Sequence, residues 1–140
     1  MILTEHEAKQ LLTAAGLQIP RAVLVEQQDS IPKQSGDIDL KFPVYVKAQV
    51  LHGDRVSVGL VTRVDTANEL HGTVVDMFSE TDRFGNPVPS VLLEEAVPFT
   101  QEFYLAITYD TVHRRPVLQF SAQAGTGIEG RTDSIESIPF

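Results

Sequence analysis

Lys47 stands alone among apolar neighbours in the run Val44 to Val50, and Arg55 follows in the polar turn that comes next. A lysine on such a strand has two uses. It can lay its stem on apolar surface at a sheet edge and lift its ammonium into water. Alternatively, it is a point charge on rigid backbone that meets a phosphate, with the adjoining loop closing over the same anion. The stretch "LHGDRVSVG" supports the second use in part. Gly53 and Gly59 permit close backbone approach and Arg55 offers a planar, bidentate donor, whereas Asp54 puts a negative charge in the same turn.

Glu94 and Glu95 close the strand-like "SVLLEEAV", and Glu102 opens the next apolar pattern. Glutamates at strand ends are usually solvated; at the mouth of a cleft they accept hydrogen bonds from ribose hydroxyls or an amino group. Spacing leaves both readings open. The four histidines, His6, His52, His71 and His113, have no metal-ligand rhythm and read as surface residues. Arg114 and Arg115 fall in an expected turn, as solvated charge or partners of an anion. No nucleophile elbow, Walker-type loop or dinucleotide-binding glycine fingerprint occurs in the sequence.

Alternating and helical patterns must hold these residues in place. Thr4 and Glu7 have capping-box spacing, Gly16 stands where a left-handed cap belongs, and Ala8, Leu11, Leu12 and Ala15 share a face that needs covering. Ala22 to Val25 reads as a strand. The polar stretch "EQQDSIPKQSGDIDLKFP" holds at most a short helix. Val44 to Val50 and Val56 to Val64 read as a hairpin joined by Leu51 to Arg55. A second helix follows, with a capping box at Thr66 and Glu69 and a stripe of Leu70, Val74, Met77 and Phe78. After the strand "SVLLEEAV", Glu102 to Tyr109 and Pro116 to Gln123 make a second hairpin, and the closing segment shows little periodicity. Neighbouring strands joined by short loops indicate a mostly antiparallel α+β arrangement.

At 140 residues the chain is long enough to bury a core without staples. Nineteen acidic against eleven basic residues give a net charge of -8. Such a field repels nucleic acid and anionic membranes, so an anionic ligand needs a local cluster of donors. There is no cysteine, which excludes disulfides and thiolate metal sites. With no signal-peptide pattern or long apolar run, a cytoplasmic protein is the expectation.

The stretches "EHEAKQLLTAAGLQIPRA", "FPVYVKAQV", "VLLEEA", "EFYLAITYD" and "RRPVLQFSAQAG" with the following "IE" occur in an order that resembles the N-terminal part of the ATP-grasp β subunit of ADP- or GDP-forming succinate–CoA ligases and related acyl-CoA ligases. The resemblance implies an ATP-grasp fold. Residues 22–100 would form its lid-like subdomain, and 1–21 with 101–140 part of the larger one. It also implies a nucleotide site of Lys47, Gly53, Arg55, Glu94, Val97 and Glu102, with ATP or GTP bound together with Mg²⁺ whose ligands come after Phe140. The implied partners are the nucleotide and an α-subunit-like protein or a second copy of the chain, with no nucleic acid or membrane.

Two departures qualify that pattern. The family's His-Ala-Gly-Gly-Arg-Gly-Lys-Ala-Gly-Gly loop reads "LHGDRVSVGL" here, so Asp54 and Val56 stiffen and crowd it. Gln123, Ala124 and Gly127 stand where the family has an acidic, glycine-rich segment. The resemblance thus implies the nucleotide-binding portion of a ligase that is not catalytically complete alone; the alternative is a stand-alone, degenerate ATP-grasp module that binds or regulates.

Overall fold

The computed structural model describes residues 2–26, 38–122 and 135–140, which form two helices and seven strands. They divide into two compact units, Met1–Val97 and Pro98–Phe140.

In the first unit, β1 (Ala22–Val25), β2 (Val44–Ala48), β3 (Val61–Val64) and β4 (Val91–Glu95) form an antiparallel sheet in the order β1-β4-β2-β3. Successive strand residues point to opposite faces. Val44, Val46 and Ala48 of β2 and Val91 and Leu93 of β4 therefore face one way, into a core shared with Leu70, Val74 and Met77 of helix α2 (Ala67–Ser79). Phe78 packs partly buried against that core, which completes the expected stripe. Tyr45, Lys47, Leu92 and Glu94 have the opposite parity, and that face meets helix α1 (Glu5–Ala14).

Helix α1 has the expected ends. Thr4 and Glu7 form a reciprocal capping box. Gly16 takes φ 85°, and the amides of Gly16 and Leu17 donate to the carbonyls of Thr13 and Leu12, closing a Schellman turn. Its apolar stripe, expected to be covered, is not: Leu11 is 59% exposed and Leu12 45%, and no residue of the helix is buried. The helix meets the sheet with polar side chains instead, because the sheet face beneath it carries a charge.

Other expectations need correction. The second strand of the first hairpin begins at Val61, since residues 55–59 turn before Leu60, with the Leu60 amide donating to the Arg55 carbonyl. The Thr66 side chain makes no capping bond, so the second capping box does not form. In the second unit, β5 (Tyr104–Asp110) and β6 (Arg115–Ser121) make the expected hairpin with slightly shifted ends. The closing segment adds β7 (Glu136–Pro139) along β6, a strand that "ESIP" does not announce through any apolar alternation. The polar stretch 26–43 falls largely, and Gln123, Ala124 and Gly127 wholly, outside the described residues. No helix among the described residues is long and apolar enough to cross a membrane.

Candidate functional site

The antiparallel register of β2 and β4 sets Lys47 opposite Leu92 and Tyr45 opposite Glu94. Lys47 and Glu94 are thus diagonal neighbours on one face, close enough for long side chains to meet. The Lys47 ammonium donates to Glu94 Oε1 at 2.7 Å and to Glu5 Oε1, on the first turn of α1, at 2.9 Å. Lys9, one helical turn after Glu5, donates to Glu5 Oε1 at 2.6 Å and also binds Glu94 Oε2. Arg55 reaches in from the β2–β3 loop, donating to the Ala48 carbonyl at 3.0 Å and to Glu5 Oε2 at 2.6 Å. Three cations and two carboxylates therefore make one network.

Gln49 anchors α1 beside this network. Its buried side-chain carbonyl accepts the His6 backbone N–H at 2.9 Å, and its amide donates to the Lys47 carbonyl. Sequence reasoning missed Glu5, Lys9 and Gln49. The spacing of Glu5 and Lys9, one turn apart, was legible as a helix-surface ion pair; their partners on the sheet were not.

Glu94 is 5% exposed, so the surface reading of that glutamate gives way to a buried, ion-paired one. Gly53 lies in the exposed loop with open space around it and no positive φ. The left-handed positions of that loop belong to Asp54 at φ 59° and Gly59 at φ 79°. Val97 is exposed just after β4, and Glu102 is exposed in the second unit. His52 is half-buried rather than a surface residue, edge-on to Phe84 with ring centroids 5.8 Å apart. Arg115 begins β6, and Arg114 takes φ 54° in the turn before it.

Electrostatics hold Glu5 and Lys47 charged. Burial by itself would raise the Glu5 carboxyl, but hydrogen bonds from Lys9 and Lys47, the Lys47 charge and the Arg55 bond outweigh it and bring it from 4.5 down to about 2. Burial likewise opposes the Lys47 ammonium, yet its bonds to Glu94 and Glu5 leave it raised. A carboxyl depressed on folding contributes stability that is fully present above its unfolded value and lost as pH falls through its folded one. Glu5 thus predicts a loss of stability from about pH 4.5 towards pH 2. Urea midpoints over that range should fall more steeply for the wild-type chain than for Glu5→Gln; parallel curves would show that Glu5 carries no such load.

One sheet face thus brings together a part-buried lysine, a buried glutamate, a loop arginine and the first turns of α1. The sequence profile of the ATP-grasp domain family matches residues 2–134. The chain belongs to that family. This ATP-grasp domain is 36% identical over 129 residues to the β subunit of an ADP-forming succinate–CoA ligase from Haloarcula marismortui, covering 92% of this chain and 33% of that protein. It is 34% identical over 129 residues to a subunit of an ADP-forming sulfoacetate-CoA ligase from Bilophila wadsworthia, with the same coverage. The chain spans about a third of the length of the curated relatives it matches. Among solved structures, a protein from Pyrococcus horikoshii superposes with a TM-score of 0.73 at 20% identity, over 99% of this chain and 58% of that one. An ATP citrate lyase from Methanothrix soehngenii gives 0.66 at 22% identity, over 99% of this chain and 34% of that one. These likenesses support the α+β ATP-grasp fold expected from the sequence.

Proposed function

We propose that this ATP-grasp domain is the nucleotide-binding N-terminal portion of an acyl-CoA ligase β subunit of the ADP- or GDP-forming, succinate–CoA ligase type. The observation that carries the reading is the convergence of Lys47 and Arg55, from a strand and its following loop, on the same carboxylate. Two cations that share one anionic group are spaced to share a phosphate in its place.

In this reading Lys47 and Arg55 bind phosphate oxygens, and Gly53 lets the loop backbone approach them. Glu94, Val97 and Glu102 hold the nucleoside, the carboxylates accepting from hydroxyl or amino groups and Val97 offering backbone. Residues 22–100 correspond to the lid-like subdomain, and 1–21 with 101–140 to part of the larger one. ATP or GTP is the nucleotide. Mg²⁺ would supply charge neutralisation on the phosphates, but the described residues include no group of three or more His, Cys, Asp or Glu side chains fit to hold a metal ion. Glu5 and Glu94 are themselves engaged by lysines and arginine, so no step is assigned to a metal here.

Acyl transfer to CoA, a role in the tricarboxylic acid cycle, a cytoplasmic location and a protein partner, whether an α-like subunit or a second copy, belong to the same proposal. They rest on the likeness to ligases of which this chain matches a third. A second reading, a degenerate module that binds or regulates without catalysis, is favoured by Asp54, whose negative charge and left-handed backbone occupy the loop that would close on phosphate. Calorimetric titration with ATP and with GTP, each with and without Mg²⁺, tests the proposal. Saturable binding supports it; a folded chain that binds neither nucleotide at millimolar concentration refutes it.

A further inference from the structure

Glu5 is bonded to every cation of the network: Oε1 accepts from Lys9 and Lys47, and Oε2 accepts from Arg55. With Glu94 as the second carboxylate, the network carries a surplus of only one positive charge. A polyphosphate arriving at Lys47 and Arg55 would compete for the same N–H donors and meet a like charge at hydrogen-bond distance. One carboxylate has to yield.

The structure distinguishes the two. Glu94 belongs to β4, which is paired on both sides by β1 and β2, and its side chain is buried. Glu5 stands in the first turn of a helix with no buried residue and an outward apolar stripe. Beneath that helix lies a cleft of about 250 Å³, bordered by His6, Lys9, Gln10, Thr13, Ile19 and Leu92 among others. The first turn is held through this charge network and the His6–Gln49 bond, with no buried apolar anchor.

We propose that Glu5 is a built-in counter-ion occupying the anion site of Lys47 and Arg55, and that the first turn of α1 is a latch which a polyphosphate releases by taking its place. The inference rests on the nucleotide reading above and adds a regulation of that site. Lys9, a turn further along, keeps its bond to Glu94, so three cations then face a single carboxylate and the ligand gains a more positive site. Free chain, by contrast, keeps its phosphate-binding cations paired and away from adventitious anions.

Inorganic tripolyphosphate and ADP are the probes, titrated into wild-type, Glu5→Gln and Lys47→Ala chains. Glu5→Gln should bind both about tenfold more tightly than wild type, within the usual range of coupling between two sites. The His6 amide, which donates to Gln49, supplies a readout on the unaltered chain: its hydrogen exchange, followed by NMR, should accelerate at saturating tripolyphosphate. An unchanged His6 amide at saturation, or a folded Glu5→Gln chain that binds no more tightly than wild type, overturns the latch. If ADP still binds in a Lys47-dependent way, the latch alone has failed. If neither polyphosphate binds either the wild-type or the Glu5→Gln chain, the nucleotide reading has failed with it.

Discussion

Replacing Lys47 with alanine is expected to weaken nucleotide binding at least tenfold, a loss of about 1.4 kcal/mol. The argument begins with the backbone. β2 is paired on both sides, by β3 and β4, so the Lys47 Cα is fixed by two ladders and the ammonium is aimed by the pleat. A charge on such a scaffold is already oriented before the ligand arrives, and little ordering remains to be done on binding. Removing it also leaves Glu94 with Lys9 as its remaining ion-pair partner in the network, so the variant should lose about 1–3 kcal/mol of stability as well. The two effects separate by calorimetry on the folded variant at a temperature well below its unfolding midpoint. Arg63→Ala is the control: Arg63 is on β3 and pairs with Asp65 in exposed surroundings, so its loss should leave binding within twofold or so. Equal nucleotide affinities for wild type and Lys47→Ala would remove Lys47 from the site.

Leu93→Ala is expected to destabilise the first unit by about 2–5 kcal/mol, the usual cost of deleting a buried leucine and leaving a cavity. Leu93 is 0% exposed, precedes Glu94 on β4, and pairs with Val46 on one side and Val23 on the other. It packs in the core shared with α2, on the face of the sheet opposite the charged network. Leu105→Ala offers the contrast. Leu105 is 66% exposed on β5, and an exposed position of this kind changes stability by about 0.5 kcal/mol or less. Urea denaturation of both variants decides the matter; comparable losses at the two positions would mean that the core does not lie where Leu93 puts it.

The two variants also show how much of the site could be read from the chain. Lys47 was conspicuous because a strand with Val46 and Ala48 as neighbours has a period of two, and that period alone puts lysine on the face away from the valines. Glu94 was visible as a carboxylate at a strand end but not as a buried one, since burial there depends on what lies across the sheet. Arg55 was visible in its loop, yet the length of that loop was underestimated: Val56 and Val58 have strand-like character, and the turn from Arg55 to Gly59 overrides it. Thr66 shows a comparable limit, because a residue with capping spacing makes no cap when its side chain turns elsewhere. Leu11 and Leu12 mislead in the opposite sense. Their helical spacing predicted a covered face, and the charge on the sheet drew the other face of α1 down instead.

From the sequence alone came the type of every described element but β7, the capping box and left-handed cap of α1, the strand Ala22–Val25, the face on which Lys47 stands and the ATP-grasp resemblance. These depend on side-chain periodicity and on turn chemistry, which act over a few residues and leave a local trace. Only the tertiary structure decided that β4 enters between β1 and β2, that Glu94 becomes the diagonal neighbour of Lys47, and that Glu5 and Lys9 close the network. Glu5 lies 42 positions from Lys47 and Lys9 lies 85 from Glu94. Contacts over such separations are chosen by strand order and register, which emerge from burying the whole core at once and leave no periodic mark on the residues that happen to meet.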